Sequence, residues 1–402
     1  MELLTPAMQT YPWGSRTLLA ELRGEESPSA APQAELWFGA HPAAPATVGG
    51  VGLDEVIADD PADALGAAVR GEFGDTLPFL LKILAADGPL SIQAHPTAAQ
   101  ARAGFEGENA AGIALDAVER NYKDPNHKPE LLVALTRFKA LAGLRPARQT
   151  LEFFEYLDCP ELTRYSAMLH SDNEEEGLRA LFTTWISLPR AKRVEVIEGV
   201  KGCVDKRSFA GVPGWMGQAA RCFVELSEVY PGDVGVPASL LLNYVELAPG
   251  EALYLGAGRL HAYVGGMAVE IMANSDNVLR GGLTTKHVDV PELVRITDFS
   301  TLLDPRVDAR VHDGVCEFDV PARDFRLTRY ELAAGDGFDA DCSGPAIVLC
   351  TSGCVTCGPL ELGPTEAAWI PASDPDAGVV ARLADSTSGA GAEVFYARVT
   401  SR

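Results

Sequence analysis

No run in this sequence comes near the roughly 18 consecutive apolar residues of a membrane-crossing helix. Nothing at its start joins a basic stretch to an apolar core and a cleavage site. Both absences lead to the expectation of a soluble, cytoplasmic protein. Basic residues are scarce: 33 Lys and Arg stand against 56 Asp and Glu, a formal net charge of -23. Such a charge repels nucleic acid and anionic membranes, so neither is expected as a partner. It also means that an anionic ligand needs a local pocket of Lys and Arg. The eight cysteines lie at irregular spacings in a long chain, which excludes a disulfide framework and predicts free thiols. The tightest group, Cys350, Cys354 and Cys357, has no second pair or histidine at ligand spacing, and packing as small apolar side chains is expected there. A glycine-rich phosphate loop on a strand-helix unit is missing, which removes nucleotide transfer from the candidates.

What remains is a chain of 402 residues, long enough for two or three domains. Up to about residue 145 short apolar runs alternate with Pro and Gly, as in Leu77 to Leu84, a pattern of short strands joined by turns. One helix is predicted within it, from Thr97 to about Val118. From Pro146 to about Tyr230 the period changes: Leu178, Leu181, Phe182 and Trp185 follow the spacing of an amphipathic helix. Pro231, Gly232 and Asp233 then form a turn signal, and strand-like runs resume. Residues 246–258 are echoed by residues 361–373, which implies two copies of one β-unit. His261 stands three residues beyond the first copy; the matching place after the second holds Asp376. A second β-barrel without metal is the consequence.

Three segments carry candidate chemistry. In residues 89–96 Ser91, Gln93 and His95 alternate with Leu90, Ile92 and Ala94, so on a strand the three polar residues share one face. A metal would satisfy such a row inside a barrel; taken alone, the segment favours a strand facing solvent. In residues 122–130 two prolines frame His127, Lys128 and Glu130 and prevent a regular helix, and either His127 or Glu130 could reach a metal. The third segment begins at His261 and Tyr263 and continues through Glu270, Arg280 and Lys286.

Together these segments resemble the signatures of the type I mannose-6-phosphate isomerases of the cupin superfamily. The short family pattern Tyr-x-Asp-x-Asn-His-Lys-Pro-Glu is met by Tyr122, Asp124, Asn126, His127, Lys128, Pro129 and Glu130. Seven fixed positions arise by chance roughly once per billion starts at about one in twenty each. The long pattern resembles residues 261–286, with Gly281 in place of the usual Ala and Thr285 in place of the usual Pro. Both changes enlarge backbone freedom, so a looser loop from Arg280 to Lys286 is expected. Tyr11 to Gly14, Ala34 to Pro42 and Pro78 to Lys82 extend the likeness over most of residues 1–145 and 235–295.

The resemblance implies a mainly β fold with a helical insertion: two cupin-type (jelly-roll) β-barrels plus an α-helical domain. A catalytic domain of residues 1–145 with 233–300, a helical domain of 146–232 and a metal-free cupin-like domain of 301–402 are expected. It further implies one divalent metal, Zn²⁺ by kinship, on Gln93, His95, Glu130 and His261, although that ligand set would also accept manganese, iron, cobalt or nickel. Arg280 falls on the family's essential arginine, the alternative being an ion pair with Glu270 or Asp276. Lys286, with Ser91 and Lys128, is the candidate phosphate contact, and Tyr263 a further substrate contact. Glu270, Lys128 and a metal-bound water compete for the role of general base. His127 is expected to orient the Glu130 segment, and Trp13, Trp37 and Tyr11 to pack in the core. The implied activity is an aldose-ketose isomerisation of a sugar phosphate through an enediolate, by a monomer or weak homo-oligomer. The alternative is a non-catalytic, metal-containing sugar-phosphate binding or sensor protein.

Overall fold

The computed structural model describes residues 1–333, 336–338, 344–374, 381–383 and 391–400. Two large antiparallel sheets share one apolar core. The first runs in the order Arg306–Val307, Ala252–Leu255, Glu130–Ala134, His261–Ala273, Phe79–Ala86, Glu35–Phe38 and Ala7–Gln9. Its longest strand serves two sets of neighbours. Residues 266–273 pair with Phe79–Ala86, whereas His261 to Gly265 pair with Phe138–Leu144 and Gln93–Ala94. The change of partner comes at Gly266, whose φ of 116° suits glycine and where a Cβ would lie 2.6 Å from the carbonyl oxygen of Arg137.

The second sheet contains, in order, Ala309–His312, Val315–Phe318, Arg326–Leu332, Ala392–Arg398, Ala346–Ser352, Ala367–Ile370, Glu2–Thr5, Thr47–Val48 and Val51–Gly52. The period of two sorts its side chains. Ile347 and Leu349 join Leu131, Val133, Val269 and Ile271 of the first sheet in the shared core, while Ala346, Val348 and Cys350 face a separate apolar interior. Cys357 lies buried in that interior beside Cys350, as small apolar packing predicts.

The repeat is visible in the backbone. Leu242–Leu247 and Leu360–Leu362 lead into equivalent turns, followed by Ala252–Leu255 and Ala367–Ile370. Glu251 and Glu366 each accept a hydrogen bond from the backbone three residues back, at Ala248 and Gly363, both 2.7 Å. Gly250 and Thr365 occupy the same place with φ of 86° and 69°. Asp376 lies outside the described residues.

The helices of residues 147–229 bury Leu178, Leu181, Phe182 and Trp185 as their spacing predicts. Their core is continuous with Ile92, Ala94, Leu141 and Leu144 of the first sheet. Three expectations change. Helix, about 31%, slightly exceeds strand, about 29%, so the chain is mixed rather than mainly β. Part of the excess is Leu53–Asp59 and Pro61–Phe73, where Asp60 accepts from the Asp63 amide and Pro61 opens the second helix, start signals that read as turns in the sequence. The helix predicted from Thr97 keeps its capping box with Gln100 but ends at Ala110, just before Gly112 with φ of 74°. Last, strands Glu2–Thr5, Thr47–Val48 and Val51–Gly52 belong to the second sheet, and Arg306–Val307 to the first, so the pairing crosses the expected divisions in both directions. Among the described residues no helix is long and apolar enough to cross a membrane.

Candidate metal centre

The short motif builds its own bracket. Asp124 accepts from the Ser275 hydroxyl and the Asp276 amide, each 2.8 Å away. The Asn277 side chain donates to the carbonyls of Asp124 and Asn126 and accepts from the Lys123 amide at 2.7 Å. These bonds clamp residues 123–126 to residues 275–277, with Pro129 delivering the chain into Glu130–Ala134. The bracket reaches the candidate ligands, because the Asn277 carbonyl accepts from His95 Nδ1 at 2.7 Å. Asn277, wholly buried, was quoted in the long motif without a role; its part emerges only from contacts between segments distant in sequence.

His95, Glu130 and His261 come together in the interior, 1%, 2% and 0% exposed. The His261 Nδ1–H donates to the Arg259 carbonyl at 2.9 Å. A carbonyl can only accept, so both rings carry their proton on Nδ1 and turn the Nε2 lone pair inward. Each Nε2 then faces a Glu130 oxygen at 3.3 Å, acceptor against acceptor. Consistent with that, His95 Nε2, His261 Nε2 and Glu130 Oε2 are buried without a hydrogen-bond partner. Unsatisfied buried polar atoms cost about 1–3 kcal/mol each, and three converging on one point call for a cation. Burial lowers His95 to about 4, keeping the ring neutral. Burial opposes ionisation of Glu130 and the neutral rings donate nothing to it; the Lys128 ammonium, 3.1 Å away, is the charge that favours its carboxylate.

Sheet register sets Gln93 beside the group, opposite His261 on one side and Arg280 on the other. The predicted alternation holds from Ser91 to Ala94 although the strand is short: Ile92 and Ala94 enter the core beneath the helices, while Ser91 and Gln93 line a cavity of 560 Å³, as does Leu90, which was expected on the apolar face. That volume lies within the roughly 300–1,000 Å³ of small-molecule sites. Lys128, Glu130, Tyr263, Glu270, Arg280 and Lys286 also contribute to the wall, whereas His95 and His261 lie behind it.

The cations at one end are uncommitted. Among the described residues Arg280 has no carboxylate within ion-pair distance: Glu270 is engaged by Lys82 and Tyr263, and Asp276 by His41, so the alternative ion pair is not formed. Burial pulls the Arg280 guanidinium down, and burial with Arg280's repulsion does the same to Lys286. The loop between them is only partly loose. Asp233 Oδ1 accepts from the amides of Gly235 and Leu283 at 2.7 and 2.6 Å, and a Cβ on Gly282 would lie 2.2 Å from the Gly235 nitrogen. The extra backbone freedom expected from Gly281 and Thr285 is therefore confined to residues 284–286.

At the other end Glu270 is buried, with the Tyr263 hydroxyl donating to Oε1 at 2.7 Å and Lys82 Nζ 3.4 Å from Oε2. Burial raises its carboxyl above the ordinary range against the pull of Lys82. Lys82, also 3.7 Å from Glu35, sits directly across the sheet from both Glu270 and Trp37. Burial alone would lower its ammonium, yet the charges of Glu35 and Glu270 keep it raised. No role was read for Lys82 or Glu35 in the sequence; a lysine in the middle of the apolar run from Leu77 to Leu84 was the available signal. The expectation of core packing is met only in part: Tyr11 and Trp13 line the cavity and are partly exposed, whereas Trp37 lines it while buried in the core with Leu80 and Met272. His127 pairs with Asp324, 2.9 Å away.

The family model described as phosphomannose isomerase type I, catalytic domain, matches residues 1–147. Over 387 residues the chain is 40% identical to the mannose-6-phosphate isomerase of Escherichia coli (strain K12), covering 93% of this chain and 95% of that one. It superposes on the apo form of mannose 6-phosphate isomerase from Salmonella typhimurium with a TM-score of 0.88 and 36% identity, covering 100% and 99% of the two chains. A zinc-bound mannose 6-phosphate isomerase gives a TM-score of 0.87 at 35% identity, with the same coverage.

Proposed function

We propose that this chain, which belongs to the type I phosphomannose isomerase family, interconverts mannose 6-phosphate and fructose 6-phosphate with one zinc ion held by Gln93, His95, Glu130 and His261. The observation that carries the ligand assignment is the convergence of three buried acceptor atoms with no hydrogen-bond partner. Two imidazoles, a carboxylate and an amide oxygen suit a borderline divalent ion and leave a position open. When bound, the ion supplies Lewis acidity toward the sugar oxygens.

The chain's own residues do the rest. Isomerisation removes a proton from the carbon next to the carbonyl and returns it to the neighbouring carbon, and negative charge develops on the two oxygens. Glu270 is the general base: its raised carboxyl is matched to a proton that must be taken and given back, and Tyr263 fixes the oxygen that does not react. Lys82 keeps Glu270 oriented from the adjacent strand. Arg280 presents a fixed cation to the charge that develops, and its lack of a carboxylate partner leaves it free to do so. Lys286, with Ser91 beside it in the wall, takes the phosphate, supplying the local positive charge that a net charge of -23 makes necessary. Lys128 is committed to Glu130 and serves by keeping that carboxylate ionised. The 40% identity over 387 residues to a mannose-6-phosphate isomerase disfavours the non-catalytic alternative.

The equivalent turns of residues 248–251 and 363–366 support reading the two sheets as parts of two cupin-type barrels, the second without metal. The catalytic barrel draws on residues 1–145 and 233–300, the helical insertion on 146–232 and the second barrel on 301–402, with the exchanged strands noted above. We read the chain as a monomer or weak homo-oligomer in the cytoplasm, its acidic charge disfavouring nucleic-acid partners. Prolonged chelation followed by an assay on mannose 6-phosphate tests the reading: activity should vanish and return with added zinc, and full turnover by a demonstrably metal-free sample refutes it.

A further inference from the structure

Outside the cavity and among the described residues, one other cluster combines metal-ligating side chains. Cys159 directly precedes the helix Pro160–Ser166, Glu161 lies in that helix's first turn, and Cys203 lies in the last turn of Arg190–Val204. Their donor atoms all fall within 4.8 Å of one another. Cys159 is 1% exposed, and its thiol donates to Glu161 Oε2 at 3.2 Å. The facing helix makes room for the carboxyl: a Cβ on Gly199, one turn before Cys203, would lie 2.4 Å from Glu161 Cδ. Glycine weakens a helix interior, and here the close approach of Glu161 requires it.

We infer that Cys159, Glu161 and Cys203 form a second metal site, for a thiophilic divalent cation of the zinc class, joining the two helices. Two sulfurs and a carboxylate are a donor set that zinc accepts readily, with a water completing four-coordination. No side-chain cation competes for the place: Arg164 pairs with Glu195, Lys201 with Glu198 and Arg207 with Asp158. On binding, each thiol releases its proton to solvent as its sulfur donates an electron pair to the cation; nothing is oxidised. A disulfide is the rival use of the pair; both uses pass through the thiolate, so retained metal with protected thiols is what separates them. This site is independent of the isomerase reading, since its donors include sulfur and those proposed for catalysis do not.

That difference supplies the test. Cobalt(II) is titrated into the full-length protein carrying one equivalent of zinc and fully active on mannose 6-phosphate, so that the cavity is filled and the sulfurs are not, under reducing conditions, with absorbance followed in the near ultraviolet, where sulfur-to-cobalt charge transfer appears. One further equivalent should develop the band and protect two thiols from alkylation. C159S and C203S should abolish it, and E161Q should weaken binding while leaving turnover on mannose 6-phosphate unchanged. Circular dichroism of each variant separates loss of the site from loss of the fold, and E161Q, which keeps both sulfurs, tests the site should a cysteine variant fold poorly. Absence of the band at excess cobalt overturns the inference. So does loss of two thiols to a disulfide without retained metal, or an unchanged cobalt affinity in E161Q.

Discussion

Residues 246–258 and 361–373 trace the same strand, turn and strand, yet Leu255 lies opposite Glu130 where Ile370 lies opposite Ala346. The turns agree down to the glutamate that caps each one. Around Ala346 the interior is lined by Val348, Cys350, Leu362, Ile370 and Val394, a dry apolar filling. Around Glu130 the same kind of interior opens into a cavity with Lys128, Glu270 and Arg280 in its wall. The backbone unit is thus indifferent to chemistry, and a few inward-facing side chains decide whether a site exists.

The comparison breaks most severely if the polar side is made to resemble the apolar one. Glu130→Ala installs the residue already present at Ala346, and it should lose metal and at least 10²- to 10³-fold in turnover. Retention of stoichiometric zinc, measured by elemental analysis in a variant also lacking Cys159 so that only the cavity is counted, would exclude Glu130 as a ligand. Arg280→Ala should keep its metal and fall about 10²- to 10³-fold in kcat. A metal-depleted Arg280 variant would deny the division of roles.

The reverse change asks whether one residue suffices to found a site. Ala346→Glu places a charge in an apolar interior with no partner, and urea unfolding should show a loss of roughly 3 kcal/mol without new metal binding. Milder still is acidification. Because burial raises Glu270, the base form is lost as pH falls through a value above the ordinary carboxylate range, so kcat/KM should rise with pH along a limb displaced upward. Glu270→Gln should remove that limb together with most of the activity; a limb surviving unchanged assigns the base elsewhere. The smallest effect concerns the turns. Thr365→Gly should stabilise by about 0.5–1 kcal/mol, relieving a β-branched residue at positive φ. Gly250→Thr should destabilise by roughly 1–2 kcal/mol, since its Cβ would also crowd Arg329. Equal and opposite shifts of that order would show the two turns to be energetically interchangeable.

Much of the site was legible because its signals are local. The alternation of Ser91, Gln93 and His95, the spacing within residues 122–130 and the run from His261 needed no knowledge of distant contacts. The helical block was legible for the same reason, through the period of Leu178, Leu181, Phe182 and Trp185. What escaped depends on register between segments far apart: Lys82 acquires meaning only opposite Glu270, and Asn277 only through the His95 ring. The helices of residues 53–73 were missed because Pro61, with Gly66 and Gly71 among small residues, reads as turn until Asp60 and Pro61 are recognised as a helix start. Pairing of residues 2–4 with residues 367–369 leaves no local trace at all.

That pairing bears on how the molecule is assembled. Leu4, among the earliest residues in the chain, docks into the core shared by both large sheets and rests against a strand more than three hundred positions later. During synthesis one edge of the segment can pair early with residues 47–48, but its other edge must wait until residues 367–369 have emerged, and a contact of such long range closes slowly. The second sheet is therefore closed by the two ends of the chain together, and shortening the C-terminal part would leave Leu4, and the core it shares with the first sheet, unsupported on that side.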